Sequence, residues 1–293
     1  MKIGLGTVQF GVNYGFFNKS GKTPLDDVGK IIAFAEEKGI EVLDTASSYG
    51  DSEIVLGKVL PTQHCFRIVT KTPIFKTNQI TPRDASILKS TLELSLKRLR
   101  LCRVYGLLVH HVDDLLVPGG RLLIDEMQKL ITSGLVEKMG VSLYTGEQID
   151  QILELFTPDI IQLPVSVFDQ RLIESGHLKK LKNKGVEIHA RSIFLQGLLL
   201  IEPELIPPYF ESFSTHFSLY SQFLEMNNLS RLQAALMFVL RMEELDTVLV
   251  GVSCTKDLKE IFNAMNTIQD INTNMSFLAI DDEKMINPLF WKL

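Results

Sequence analysis

Short runs of β-branched and apolar residues alternate along this chain with longer stretches in which apolar positions recur every three to four residues. The short runs predict strands over 2–6, 41–44, 67–71, 104–110, 138–142, 160–163, 187–191 and 247–251. The longer stretches predict helices. In 26–38, Val28, Ile31, Ile32 and Ala35 share one face, and Gly39 ends the run. In 82–99, Thr81 is a good N-cap, Pro82 takes the first helical position, and Ile87, Leu88, Leu92 and Leu96 form the apolar stripe. Further helices are expected over 124–133, 147–156, 177–184, 230–241 and 254–264, the last with Ser253 or Thr255 near its cap, and another begins at Ser52 and Glu53.

Eight strand–helix steps in succession call for parallel strands joined by crossovers, and eight is the number that closes a barrel. The run 104–109 is apolar without strict alternation, as expected of a strand whose outer face is covered by helices. No low-complexity linker or break in composition interrupts the series. The expectation is a single α/β domain over 1–293, a (β/α)8 TIM barrel.

Two stretches fall outside the alternation. Residues 203–228 contain Pro207, Pro208 and an aromatic series (Tyr209, Phe210, Phe213, Phe217, Tyr220, Phe223), and 266–293 form a tail with Trp291 near its end. Loops after barrel strands carry function, so 203–228 is a candidate lid or pocket wall; an extra helix packed outside the barrel is the competing expectation.

Composition narrows the class. Hydrophobic residues at 45% and charged residues at 22% fit a soluble globular chain with a full core. A net charge of −5 without a basic block argues against a nucleic-acid partner. Cys65, Cys102 and Cys254 are odd in number and widely spaced, which argues against a disulfide framework or a zinc site and for a reducing compartment. No apolar run is long enough for a membrane span, and residues 1–6 lack the apolar region of a signal peptide, so the cytoplasm is expected. No metal site is expected, and the oligomeric state is left open.

The chemistry lies at strand ends. Asp44 closes one predicted strand and Tyr49 follows it in a loop; Lys71 and His110 close two more. A phenol is a weak acid, with an ordinary pKa of about 10. A nearby ammonium would lower that value, a carboxylate would keep the ammonium charged, and an imidazole could orient a carbonyl oxygen. What such a set lacks is a hydride, which a nicotinamide cofactor can supply.

The pattern Asp44-x-Ala46-x-x-Tyr49-Gly50-x-Ser52-Glu53-x-x-Leu56-Gly57 resembles the signature of the aldo-keto reductases, bacterial members with short C-terminal tails above all. Gly4-Leu5-Gly6-Thr7 is similar to the family's first strand, and Val69-Thr70-Lys71 and Leu108-Val109-His110 to its Lys and His strands. This resemblance implies the barrel, reduction of an aldehyde or ketone by NAD(P)H, Tyr49 as general acid, Lys71 and Asp44 tuning it, and His110 positioning the carbonyl, with His111 as the fallback. The substrate would be a small carbonyl compound, a sugar-derived one by analogy with some relatives.

The resemblance also implies cofactor contacts at Gly6, Thr7, Asp44, Ser142, Gln162, Arg191, Ser192, Leu195, Gly197, Gly251, Ser253, Lys256, Asp257 and Glu260. Gly140-Val141-Ser142 matches the family's carboxamide-binding strand, but Leu143 stands where Asn is usual. Arg191 replaces a more frequent aromatic, and a guanidinium plane can also stack. The N-terminus of the last helix could help hold a phosphate. NADPH is the expected cofactor with NADH left open, because Asp257 and Ile261 replace the usual Arg and Asn and only Lys256 could compensate.

Two other functions fit parts of the pattern. One is a nucleotide-binding barrel acting as a sensor or partner subunit without turnover, suggested by Leu143 and Asp257. The other is a Schiff-base aldolase using Lys71 as its amine. His64, His177, His189 and His216 read as surface or structural, and Lys179, Lys180, Lys182 and Lys184 as a solvated helix face. Pocket walls are expected from 14–21, 112–121, 203–228 and the tail around Trp291. No N-terminal hairpin of the kind that plugs the barrel floor in the family is legible, so helix packing or the tail is expected to close that end.

Overall fold

In the computed structural model, which describes residues 2–18, 20–268 and 274–292, the predicted apolar runs form eight strands. They are β1 (Ile3–Gly6), β2 (Val42–Asp44), β3 (Arg67–Lys71), β4 (Val104–Val109), β5 (Val136–Ser142), β6 (Ile160–Pro164), β7 (Glu187–Arg191) and β8 (Thr247–Gly251). Each pairs in parallel with its sequence neighbours, and β8 pairs with β1 to close the barrel. β5 starts two residues before its expected position because the β4 ladder reaches down to pair Val104 with Val136.

The helices are α1 (Val8–Gly11), α2 (Leu25–Glu37), α3 (Ser52–Val59), α4 (Pro82–Leu99), α5 (Arg121–Thr132), α6 (Gly146–Leu155), α7 (Arg171–Glu174), α8 (His177–Asn183), α9 (Ser214–Asn227), α10 (Arg231–Leu240), α11 (Thr255–Thr267) and α12 (Glu283–Ile286). Thr81 and Asp84 form the capping box that starts α4, with Pro82 behind the cap as expected. At α11 the cap is Cys254, between the two expected residues. Among the described residues no helix is long and apolar enough to cross a membrane.

Outward-facing strand residues such as Leu43, Ile68, Val141 and Ile161 pack under the apolar faces of the helices and form the main core. The barrel interior holds a smaller cluster of Val42, Val69, Leu108, Ile160 and Leu249. Full burial of side chains of this size stabilises by about 1.5–3 kcal/mol each. Since strand residues alternate between faces, the last inward residue of a strand faces the C-terminal mouth.

At the N-terminal ends of the strands, side chains of β4, β5 and β7 meet across the barrel. Tyr105 Oη donates to Glu187 Oε2 at 2.7 Å, Lys138 Nζ reaches the same oxygen at 2.6 Å, and His189 Nε2 meets Oε1 at 2.7 Å. Arg67 and Lys138 also lie over the Tyr105 ring, 5.3 and 5.0 Å from its centroid. Burial pushes the Glu187 carboxyl up, but the bonds from His189, Lys138 and Tyr105 outweigh it and carry it from an ordinary 4.5 down to about 2. A carboxyl with a depressed pKa stabilises the fold fully above its unfolded value and loses that contribution as the pH falls through the folded one. Glu187→Gln should therefore cost about 2–3 kcal/mol at neutral pH. In urea titrations the difference from the parent protein should shrink as the pH falls below 4.5 toward 2.

The 203–228 stretch is no lid. It forms short turns and α9, and Phe210, Phe213, Phe217, Tyr220 and Phe223 bury themselves in a satellite cluster with Phe168, Leu278, Met285 and Trp291. Phe168 meets Phe217 and Tyr220 edge-on at 5.6 Å, and Phe210 meets Trp291 at 5.0 Å. The competing expectation, a helix packed outside the barrel, is the observed one. Residues 112–121 are likewise no wall of the mouth: Asp114 accepts the backbone N–H groups of Phe75 and Lys76 at 3.0 and 2.9 Å, pinning that loop to the one after β3. Those parts of the N-terminal run, the 14–21 wall and the tail that fall on Met1, Lys19, 269–273 and Leu293 lie outside the described residues.

Candidate active site

The signature residues divide into those that build the mouth and those that face it. Ser52 Oγ bonds Thr7 O at 2.9 Å and lies 3.1 Å from Thr45 Oγ1, tying the start of α3 to β1 and β2. Buried Glu53 accepts Thr70 Oγ1 at 2.9 Å and Arg98 at 3.4 Å, locking α3 to β3 and α4. Gly57 lets α3 lie against α4, since a Cβ there would be 2.0 Å from Arg98 O. Gly11 does the same for the loop that carries Tyr49, whose carbonyl oxygen would be 1.7 Å from a Cβ. Thr7 belongs with the builders: its hydroxyl bonds Asp44 O at 2.9 Å and lies 2.9 Å from Ser52 Oγ.

Asp44, Tyr49, Lys71 and His110 all border one cavity of about 560 Å³ at the C-terminal ends of the strands. Lys71 Nζ donates to both oxygens of Asp44 at 2.7 Å and to Thr45 O at 3.0 Å. Gln162 Nε2 gives Asp44 Oδ1 another bond at 2.7 Å. Both members of the pair are buried, with side chains 1% and 7% exposed. Burial pulls the Lys71 ammonium below the usual lysine range, and Asp44 works against it.

Lys71 Nζ sits 5.0 Å from the centroid of the Tyr49 ring, over its face. All three of its hydrogens go to Asp44 and Thr45, so the ammonium is neutralised where it stands. The expected lowering of the phenol's pKa by Lys71 is outweighed by burial and the Asp44 charge. Burial comes first, then the Asp44 charge, and together they push the Tyr49 phenol well above its ordinary value; Arg191 is the cation that opposes them. Tyr49 is held protonated, the form a general acid needs.

His110 stands edge-on to Tyr49, ring centroids 5.7 Å apart, and its Nδ1 lies 3.2 Å from Ser48 Oγ. Nε2 is the nitrogen left for a ligand. His111 turns away, toward Asp114 at 3.3 Å, so the first of the two histidines is the one at the mouth. Burial, then the charges of Lys71 and Arg191, push the His110 imidazole down to about 3. It is neutral over the physiological range. The rate of any reaction here should show no step attributable to His110 between about pH 5.5 and 8, although an unperturbed histidine titrates there. A pH–rate profile of His110→Gln beside the parent checks this: the two curves should differ in height and not in shape.

Of the expected cofactor contacts, Gly6, Thr7, Ser142, Gln162, Arg191, Ser192, Gly197, Gly251, Ser253, Asp257 and Glu260 border the same cavity, as does Asp44. Two do not. Leu195 is fully buried in the satellite cluster, because the backbone at 195–197 turns through positive φ and points the side chain inward. Lys256 is 82% exposed and pairs with Glu260 at 3.7 Å. Just before α11, Asp257 Oδ2 accepts Ser253 N at 2.8 Å and Cys254 N at 3.1 Å. Leu143 is buried in the core and contributes its carbonyl, which Arg191 Nη2 reaches at 3.2 Å.

Tyr144 and Gln9 escape a sequence reading, while Gln196 lies between the expected contacts Leu195 and Gly197. Tyr144 forms a platform on which the Arg191 guanidinium stacks at 4.1 Å. Gln196 reaches the loop after α1, accepting Phe16 N at 3.3 Å and donating to Tyr14 Oη at 3.4 Å. Gln9 borders the cavity with a buried Oε1 that has no partner within the protein. Only the adjacency of Tyr144 to Ser142 and of Gln9 to Gly6-Thr7 could have drawn attention to them.

A nicotinamide dinucleotide fits this wall. Ser142 and the Gln162 amide face the cavity as neutral hydrogen-bonding groups suited to a carboxamide, and the orphaned Gln9 oxygen asks for a donor from a ligand. Arg191 has no carboxylate partner among the described residues, so it can meet an anionic or planar group.

A closed parallel barrel thus brings a phenol, a buried acid–amine pair and an imidazole to one cavity at the strand ends. The model of the aldo/keto reductase family matches residues 2–276, and the chain belongs to that family. It is 30% identical over 181 residues to aldo-keto reductase YhdN of Bacillus subtilis, covering 59% of this chain and 53% of that protein. It is also 30% identical over 174 residues to a 6-dehydroglucose reductase of Novosphingobium aromaticivorans, covering 52% of this chain and 55% of that one. The chain thus spans about half the length of the curated relatives it matches. In fold it resembles the holo form of aldo-keto reductase AKR11C1 from Bacillus halodurans, with a TM-score of 0.75 at 20% identity over 95% of this chain and 92% of that one.

Proposed function

We propose that this chain reduces an aldehyde or ketone to the alcohol with a reduced nicotinamide dinucleotide, and that Tyr49 is the proton donor. The observation that carries this reading is a phenol at the mouth of the cavity, its ring face against the Lys71 ammonium of the buried Lys71–Asp44 pair and its edge against His110. When bound, the nicotinamide supplies the hydride, which no side chain can.

The residues of the chain do the rest. His110 holds the carbonyl oxygen through Nε2, and the Tyr49 hydroxyl passes its proton to that oxygen as negative charge develops. The Lys71–Asp44 pair sits under the phenol as a fixed dipole rather than a free charge. Ser142 and Gln162 orient the carboxamide end of the dinucleotide, and Arg191 on Tyr144 forms the platform beside it.

A Schiff base at Lys71 requires a free electron pair on Nζ, and three acceptors within 3.0 Å hold it as an ammonium. That geometry disfavours the aldolase. The test is a panel of aldehydes and ketones, sugar-derived ones included, with oxidation of the reduced dinucleotide followed by absorbance. Turnover supports the reading. Tight binding of dinucleotide with no turnover across the panel would leave a sensor or partner subunit in its place.

A further inference from the structure

Two of the three cysteines stand on neighbouring loops, at the end of the barrel away from Tyr49. β3 and β4 pair through Val69 with Gly106, Thr70 with Leu107 and Lys71 with Leu108. Carried back four residues toward the N-terminal ends, the same register sets Cys65 against Cys102. Both thiols are free and exposed. Cys102 borders a cavity of about 570 Å³, and so do His64 and Phe66 on either side of Cys65. The two segments thus share one surface recess.

Adjacent strands lie about 4.7–4.9 Å apart, and a disulfide spans a Cα separation of about 4.4–6.8 Å. A register pair on neighbouring strands falls inside that range. The ladder stops at Val69 and Gly106, so the loops must close what gap remains. The segment 61–65 is built to adjust: among the described residues its hydrogen bonding is one local contact, His64 Nδ1 accepting Phe66 N at 3.2 Å. Cys102 is anchored on both sides, by Leu101 N on Leu96 O and Val104 N on Leu135 O, each at 3.0 Å. One thiol is held and the other sits on an adjustable turn. The third, Cys254, lies beyond the opposite end of the barrel, its Sγ on Asp257 Oδ1 at 3.2 Å.

We infer that Cys65 and Cys102 are a reversible redox pair, joined as a disulfide by a low-molecular-weight disulfide oxidant such as oxidised glutathione. The thiolate of one cysteine attacks the S–S bond of the oxidant, forming a mixed disulfide and releasing one glutathione thiol. The thiolate of the other cysteine then displaces the second glutathione and closes the Cys65–Cys102 bond. The two protein thiols give up two electrons and two protons, and the oxidant leaves as two thiols. The new bond encloses β3 and α4 and restricts the unfolded chain. It ties together the strands that lead to Lys71 and His110, at the ends remote from those residues. An isolated reversible pair is not the disulfide framework that the cysteine count argues against.

Incubation of the reduced full chain with oxidised glutathione, followed by mass mapping under non-reducing conditions, tests this without reference to turnover. Free thiols counted after denaturation should fall from three to one, with no glutathione retained and with Cys65 linked to Cys102. Dithiothreitol should restore all three. Cys254→Ser should still form the link. Cys65→Ser should keep glutathione on Cys102, having no second thiol to release it. The linked form should unfold at a higher urea concentration than the reduced form.

Glutathione retained on both cysteines of the parent, a link between two chains, or failure of either thiol to react would overturn the inference. So would a linked form that unfolds at the same or a lower urea concentration, since the bond would then strain the strands instead of following their register.

Discussion

Tyr49→Phe should retain dinucleotide binding and lose turnover by a hundred- to ten-thousand-fold, the range a positioned proton donor contributes. The variant keeps the ring and therefore its packing: the edge contact with His110 and the Lys71 ammonium over its face both involve the ring, not the hydroxyl. Only the proton is removed. Because the interaction matters chiefly in the transition state, kcat should fall while KM changes little. Steady-state kinetics with calorimetry on the same sample separate the two quantities. Turnover within a factor of two of the parent would take Tyr49 out of the mechanism.

Removal of the ammonium should have the second largest effect, on stability as well as rate. Lys71→Met leaves the Asp44 carboxylate buried with only the Gln162 amide of its former partners. Breaking a buried pair by deleting one member costs about 3–5 kcal/mol. The double variant Lys71→Met with Asp44→Asn takes both charges away and should recover much of that loss in urea titrations. It should not recover activity. In the single variant the uncompensated Asp44 charge raises the phenol's pKa further, so proton donation becomes slower and the alkaline limb of the rate profile moves to higher pH. An unaltered profile would mean that the pair does not act on Tyr49 at all.

Much of this arrangement was legible in the chain because a barrel strand has a simple grammar. Its last inward residue must face the mouth, so Asp44, Lys71, Ser142 and Arg191 could be placed at the site from their positions at strand ends. Ser52 and Glu53 were visible as a helix start, but their partners, Thr7, Thr70 and Arg98, come from three other elements. What stayed hidden depends on contacts between elements distant in sequence. The aromatic spacing of 203–228 shows that the segment must bury a face; it cannot show that Phe168 and Trp291 are what it buries against. The Asp44–Lys71 cancellation depends on contacts of 2.7 Å, to which residue order is blind. Asp257 reads as a missing arginine in a comparison of letters, and only the bonds from Ser253 and Cys254 show it acting as a cap.

The loop carrying Phe16 and Phe17 leans on Trp291, with ring centroids 5.4 and 6.5 Å apart, and Trp291 leans in turn on Phe210. Phe17 also borders the cleft, and Gln196 clasps the same loop from the other side. This part of the cavity wall thus rests on a pillar standing outside the barrel. Changes in that pillar would alter how long a guest stays without touching any atom that meets it.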